Sequence, residues 1–273
     1  MVLKNRLPRL SSAFERFNVF IFGLSLLSCL CLLGLSGCAT QDKDFTFGLN
    51  EAQMQALGEK EMNAENYKEA LDVFEKLEAR YPLGVAAMQA QINSAYCYFK
   101  RGELVLAISA LDRFQKLYPK HPRTDYILYL RGLVHLAEND DVFSSISQQD
   151  PAERDSIGQQ KAFDVFKQLV QSYPKSPYAQ EAAKKLPVIL TDLVKNEIYV
   201  ARYYAKRGAW VAAVNRAKFV LETYPMIREQ EASLEILVDG YGQLGLNDLQ
   251  QQTREILRKN FPNNVKANIG ANS

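Results

Sequence analysis

An aromatic residue followed by proline recurs five times along this 273-residue chain, each time after a stretch with helical periodicity. The intervals between successive prolines are 37, 55, 51 and 37 residues, which indicates a 37-residue unit with two insertions. Because proline lacks an amide hydrogen and crowds the preceding residue, each pair is expected to end a helix. The five pairs are Tyr81-Pro82, Tyr118-Pro119, Tyr173-Pro174, Tyr224-Pro225 and Phe261-Pro262.

Small or apolar residues recur twelve, eight and five positions before the first four prolines. Steps of four and three place the three side chains of each set on one face of a helix. In the fifth unit only Leu257 keeps the pattern, since Gln250 and Arg254 occupy the other two positions. The twelve residues are Ala70, Phe74, Leu77, Ala107, Leu111, Phe114, Ala162, Phe166, Leu169, Ala213, Ala217 and Val220.

A small residue farther from each proline predicts a second helix in the unit. Gly58, Ala95 and Ala201 stand twenty-four positions before their prolines, and Gly132 is the small residue of the third unit. The pattern resembles the tetratricopeptide repeat, in which pairs of antiparallel helices stack into a superhelix. The fixed offsets favour this arrangement over a plain helical bundle.

We therefore predict an all-α fold over residues 51–263: a right-handed superhelix of about five tetratricopeptide-like helix pairs, with the first helices lining a concave groove. One insertion, residues 138–155, is rich in turn formers and is predicted to be a long loop, whose role the sequence leaves open. The other lengthens the first helix of the fourth unit, from Pro177 to Arg207, with a kink or break at Pro187. Residues 264–273 lack periodicity and are interpreted as a tail.

The N-terminus carries the features of a bacterial lipoprotein signal. Basic residues precede an apolar run that ends in Leu35-Ser36-Gly37-Cys38, which resembles the lipobox. We predict a signal peptide over 1–37 and a lipidated N-terminus and tether over 38–50, with Cys38 anchoring the chain to the membrane. The alternative is a retained transmembrane helix. Ala39, which stands where an inner-membrane retention signal has aspartate, favours the periplasmic face of the outer membrane.

Composition limits the chemistry that the chain can perform. Removal of residues 1–37 lowers the net charge from +2 to −1, so the mature chain lacks the basic surface of a nucleic-acid binder. Only Cys97 then remains besides Cys38, and it is predicted to be buried. His121 is interpreted as a solvated loop residue and His135 as a partly buried helix residue. With no catalytic motif in the chain, we predict no enzymatic activity, no cofactor and no metal.

Three aromatic residues on the predicted first helices are candidates for a substrate groove: Tyr96, Phe99 and Tyr129. Aromatic side chains provide rigid contact area and suit extended peptides that bear aromatic residues themselves. The alternative is that these three residues pack between neighbouring helices.

A second candidate surface lies in the segment from Arg207 to Arg216. It contains Trp210, Asn215 and Arg216, and tryptophan and arginine are favoured anchors of protein interfaces. The alternative is a tryptophan that caps a helix and an arginine that is only solvated.

Several blocks of sequence are more specific than the repeat. Together with the lipobox they resemble the BamD (ComL) family, lipoproteins of the β-barrel assembly machinery in Gram-negative outer membranes. The resemblance implies five repeats and a scaffold without enzymatic activity. The blocks are Arg80-Tyr81-Pro82-Leu83-Gly84, Leu111-Asp112-Arg113-Phe114, His121-Pro122, the segment from Asp125-Tyr126 through Tyr129-Leu130-Arg131-Gly132-Leu133, Tyr173-Pro174-Lys175-Ser176-Pro177-Tyr178 and the segment from Tyr203 to Arg216.

The resemblance also implies partners. In the family, C-terminal repeats dock on a periplasmic POTRA domain of BamA, N-terminal repeats engage the C-terminal signal of unfolded outer-membrane proteins, and other assembly lipoproteins bind as well. Arg216 matches the family's charged contact to BamA, whereas Trp210 departs from the tyrosine that is common there. The alternative function is a lipoprotein adaptor for peptidoglycan or DNA-uptake machinery, to which the name ComL points.

Overall fold

The computed structural model describes residues 44–138, 156–224 and 230–268, and the regular elements in these ranges are eleven helices. The predicted signal peptide, Cys38 and residues 139–155 of the predicted loop lie outside the described residues. All eleven helices belong to one compact unit, Gly48–Ser273. In chain order the helices are α1 (Glu51–Asn63), α2 (Tyr67–Arg80), α3 (Val85–Lys100), α4 (Leu104–Leu117), α5 (Thr124–Ala137), α6 (Ile157–Ser172), α7 (Pro177–Lys206), α8 (Trp210–Thr223), α9 (Gln230–Gln243), α10 (Asn247–Asn260) and α11 (Val265–Asn268).

The helices form five consecutive pairs, from α1–α2 to α9–α10. Each helix packs against the next along the chain, and the first helices of successive pairs also contact one another. These contacts stack the pairs in the manner of tetratricopeptide repeats, which confirms the predicted fold class. No helix within the described ranges combines the length and the apolar character needed to cross a membrane.

The predicted repeat positions form the core. All twelve predicted side chains and Leu257 are at most 1% exposed. The aromatic residue before each proline ends its helix: Tyr81 leaves helical geometry with φ −128° and ψ 68°, while its N–H still donates to Leu77 O at 2.8 Å. Gly102 and Gly208 follow the ends of α3 and α7, with φ of +75° and +74° that suit glycine.

Helix α7 runs unbroken for 30 residues with Pro187 inside it, so of the two predicted alternatives, a kink or a break, the break is wrong. Proline removes one backbone donor, but packing on both sides of Pro187 holds the helix together. Ile189 and Leu193 pack in the core of the third pair, whereas Val194 and Ile198 pack in the core of the fourth. One helix therefore belongs to two neighbouring cores.

The residues after Pro262 are packed more firmly than the predicted tail. The Asn264 amide donates to Glu231 Oε1 at 2.8 Å and to Glu235 Oε1 at 2.6 Å, and Ala267 in α11 is buried. These contacts close the end of the α9–α10 pair as far as residue 268.

Candidate peptide-binding groove and partner surface

Four tyrosines line a cavity of about 660 Å³ among the first helices of the first four pairs. Tyr96 comes from α3, Tyr126 from α5 and Tyr178 from the first turn of α7, while Tyr67 begins α2. The fold brings these rings together because the first helices of neighbouring pairs lie side by side. This cavity, called the tyrosine cavity below, is open to solvent.

The rings of the tyrosine cavity pack against one another. Tyr67 and Tyr96 meet edge to face with centroids 6.1 Å apart, and Tyr126 lies 5.1 Å from Tyr178. Burial raises the pKa of Tyr126 to about 12 and also raises the pKa of Tyr96. The faces and edges of the four rings offer contact area for an aromatic side chain.

One arginine shares the cavity with the tyrosines. The Arg123 guanidinium lies 4.9 Å from the centroid of the Tyr126 ring, and its Nη1 donates to Gln89 Oε1 at 2.7 Å. The cation–π contact and the hydrogen bond hold the Arg123 side chain on two sides. Among the described residues no carboxylate forms an ion pair with Arg123.

A second cavity of about 730 Å³ adjoins the first and shares Glu59 and Gln89 with it. It runs between α1 and the start of α3, over the small side chains of Ala52, Ala56 and Ala86. Its edge carries Leu83 and Val85, which are 87% and 78% exposed. This apolar trough extends the tyrosine cavity along the same face of the stack.

The structure separates the three residues predicted for the groove. Tyr96 and Phe99 both pack against the core of the second pair, but only Tyr96 of these two also lines the tyrosine cavity. Tyr129 lies beside the cavity, with its ring 5.5 Å from Tyr178 and 5.9 Å from the buried Phe166. Phe99 and most of the Tyr129 ring therefore pack between helices, as the alternative interpretation predicts.

Four cavity residues were missed by the sequence reasoning: Tyr67, Tyr126, Tyr178 and Arg123. The available signal was helical phase, since Tyr126 precedes Tyr129 by three residues and therefore points about 60° away from it around the same helix. The sequence selected the tyrosine beside the cavity instead of the one that lines it.

The second candidate surface lies on α8. Arg216 is 47% exposed at its side chain but is not merely solvated, because its Nη1 lies 3.0 Å from Glu197 Oε2 on α7. Asn215 is exposed beside it. Trp210 is partly buried at the start of α8, and its ring approaches the position of a side chain at Gly240 on α9. The indole thus helps to join the fourth and fifth pairs.

The remaining residues that could carry out chemistry, His121, His135 and Cys97, are all packed against other parts of the protein. His121 is not a solvated loop residue: its ring packs edge-on against Phe114 at 5.1 Å, and burial lowers its pKa. His135 is buried in α5 beside Glu138, and Cys97 is buried with a pKa raised by burial to about 12. Within the described ranges there is no group of three or more His, Cys, Asp or Glu residues that could hold a metal.

Stacked helix pairs that carry an aromatic cavity and an exposed arginine held by an ion pair are typical of a helical-repeat scaffold. Comparison with known proteins makes this class specific. The model of the outer membrane lipoprotein family YfiO matches residues 49–257, and the chain belongs to this family.

Individual relatives cover nearly the whole chain. The outer membrane protein assembly factor BamD of Neisseria meningitidis is 40% identical over 242 residues, which are 87% of this chain and 91% of that protein. The protein of the same name in Vibrio cholerae is 32% identical over 86% of this chain and 98% of its own length. The TPR2AB-domain:pHSP90-complex of yeast Sti1 aligns at 15% identity over 80% of each chain with a TM-score of 0.37, so the fold assignment depends on the helix packing described above.

Proposed function

We propose that this chain is a lipid-anchored scaffold of the outer-membrane β-barrel assembly machinery. Its family membership and the name of its relatives, outer membrane protein assembly factor, support this role. Cys38 would carry the anchor after removal of residues 1–37, placing the helix pairs on the periplasmic face of the outer membrane. The function would consist of binding, without bond making.

The tyrosine cavity carries the proposal for substrate binding. An unfolded outer-membrane protein presents extended segments in which apolar residues alternate with polar ones, with aromatic residues enriched near the ends of the strands. The rings of Tyr96, Tyr126 and Tyr178 provide rigid contact area for such a segment. The surface of α8 that carries the exposed Asn215 and Arg216, with the partly buried Trp210 at the start of the helix, is proposed to bind the POTRA domain of BamA. Other assembly lipoproteins would bind elsewhere.

Site-specific photocrosslinking in cells tests both surfaces. A photoreactive phenylalanine at Tyr96 is expected to capture unfolded outer-membrane proteins, and one at Asn215 is expected to capture BamA. The control position is Val105 on α4, which is 77% exposed and lies outside both surfaces. Capture of peptidoglycan enzymes or DNA-uptake proteins at Tyr96 and Asn215, without assembly partners, would instead support the alternative adaptor function.

The anchor has its own test. Mass spectrometry of the mature N-terminus is expected to show Cys38 as the first residue, acylated on its sulfur and its amine. An unmodified Cys38 within a longer chain would exclude the lipoprotein proposal and favour a retained transmembrane helix.

A further inference from the structure

The turn between α2 and α3 exposes two bulky apolar side chains. Leu83 is 87% exposed and Val85 is 78% exposed, and no other large apolar side chain in the described part of the helical unit exceeds 78%. The repeat does not require an apolar residue here, because the residues after the corresponding prolines of the second and third pairs are Lys120 and Lys175. The exposed apolar side chains of this turn therefore indicate contact with an apolar partner.

The chain enters the helical unit beside this turn. Glu51, in the first turn of α1, lines the apolar trough with both exposed side chains, and a Cβ on Gly84 would lie 3.4 Å from Glu51 Oε1. Arg80, at the end of α2, donates from Nη1 to Leu49 O at 3.5 Å. The start of α1, the end of α2 and the start of α3 therefore lie at the same end of the first pair.

The proposed lipid anchor brings a membrane close to this end of the first pair. Eleven positions separate Cys38 from Leu49, and a fully extended chain of that length spans at most about 40 Å. A bilayer that holds the acyl groups of Cys38 lies within that distance of Leu49, which is bonded to the end of α2 beside the turn. A lipid surface is therefore the apolar partner that the covalent chain delivers to the turn.

We propose that Leu83 and Val85 insert into the membrane that holds the Cys38 anchor, at the boundary between the headgroups and the acyl chains. This inference rests on the proposed function, since it requires the lipidated Cys38, and it adds a second membrane contact that fixes the orientation of the first pair. The insertion is shallow, because the Glu51 carboxylate beside the turn stays among the headgroups and water.

A lipid surface suits the turn better than a protein partner does. Stable protein interfaces take about 20–30 residues from each side, whereas the turn offers two exposed apolar side chains. Leucine and valine side chains carry no hydrogen-bonding group, so their transfer out of water leaves no polar group unpaired. Because the anchor already holds the chain at the membrane, the second contact forms at a high effective concentration.

A polarity-sensitive dye on the turn tests the inference. The lipoprotein with Leu83→Cys and Cys97→Ala is labelled with a nitrobenzoxadiazole dye and reconstituted into vesicles of phosphatidylethanolamine and phosphatidylglycerol. The matched control carries the dye at Val105→Cys instead, because Val105 is 77% exposed and follows the other end of α3, a 16-residue helix about 24 Å long. We expect the dye on the turn to emit at shorter wavelength than the control dye. Lipids brominated near the headgroup end of the acyl chains should quench only the dye on the turn.

The outcomes separate this inference from the proposed function. Val85→Asp in the protein labelled on the turn should reduce both the shift and the quenching, because a carboxylate beside the dye resists transfer out of water. Equal emission and quenching at the two dye positions, in protein that floats with the vesicles in a density gradient, would overturn the membrane contact and leave the anchor in place. Emission at shorter wavelength without quenching by lipid would assign the turn to a protein contact and would also overturn it.

Protein that does not float with the vesicles would contradict the anchor itself, and the inference with it. Thermal unfolding of each labelled variant establishes that it is folded.

Discussion

The ring of Phe74 on α2 occupies the space that a side chain at Gly58 on α1 would need. A Cβ placed on Gly58 would lie 2.4 Å from Cε1 of Phe74, far inside van der Waals contact. The third pair repeats the relationship, since a Cβ on Gly132 would lie 2.3 Å from Cε1 of Phe166. Where the small position is alanine, the residue at the facing repeat position is smaller than phenylalanine. The size of one residue thus compensates for the size of the other.

We expect Gly58→Ala and Gly132→Ala to lower the free energy of unfolding by about 1–3 kcal/mol each, the cost of overpacking a filled core. Urea unfolding followed by circular dichroism measures it. Gly242→Ala is the matched control, because its new methyl group meets the flexible end of Gln250, and its effect should stay within about 1 kcal/mol. Equal effects at all three glycines would show that backbone entropy, and not contact with the phenylalanine ring, determines the change in the free energy of unfolding.

A compensating substitution should relieve the clash. Phe74→Leu with Gly58→Ala recreates the combination of the second pair, where buried Ala95 and Leu111 occupy the corresponding positions. We expect the double variant to be at least about 1 kcal/mol more stable than the sum of the two single effects predicts. Strict additivity in urea unfolding would contradict direct contact between the two positions as the cause.

The sequence alone was sufficient to predict the helix pairs, because the spacing of the apolar residues determines which side chains pack in the core. Offsets of twelve, eight and five residues fix a helical face whatever the neighbouring pair does, and Leu77, Leu111 and Phe166 are all buried accordingly. The continuity of α7 was not predictable from Pro187, since it depends on two cores formed by residues distant in sequence. Local preference favoured a break there, and tertiary packing overrode it.

The tyrosine cavity was only partly predictable for a related reason. A concave surface arises between pairs, so its lining depends on how each first helix is rotated against the next. Tyr96 was identified from its helix, but Tyr126 and Tyr129 on α5 both look suitable in the sequence. Only the packing of Tyr129 over Phe166 decides between them. Arg123 carried no sequence signal, because its place in the cavity depends on the hydrogen bond to Gln89, which is distant in sequence.

The ion pair between Arg216 and Glu197 allows the intramolecular role of Arg216 to be separated from its proposed role in binding BamA. Arg216→Glu is expected to reduce co-purification of BamA at least about tenfold, since charge reversal at a docking surface is strongly unfavourable. The double variant Arg216→Glu with Glu197→Arg restores an internal ion pair and should not restore BamA. Recovery of BamA in the double variant would instead assign Arg216 a role in positioning α8 against α7.

Stability should fall at alkaline pH because of Cys97. Burial raises the pKa of its thiol to about 12, so in the unfolded chain it ionises first, near pH 9, and the unfolded state gains stability as pH rises. Between pH 8 and pH 10.5 we expect the wild type to lose about 1–2 kcal/mol more than Cys97→Ala. Parallel losses in urea unfolding of both proteins would contradict this assignment. Tyr126, whose pKa is also about 12, adds a loss that both proteins share.

Helix α7 has a consequence for how the chain opens. In a simple array of repeats each pair can exchange its amide hydrogens through its own local unfolding, because it touches only its neighbours. Here Leu193 and Val194 are adjacent in one helix yet lie in different cores. Opening of the third pair therefore also exposes apolar surface of the fourth pair to water. The amides of α6 and α8 should therefore share one opening free energy, and the middle of the protein behaves as a single cooperative block.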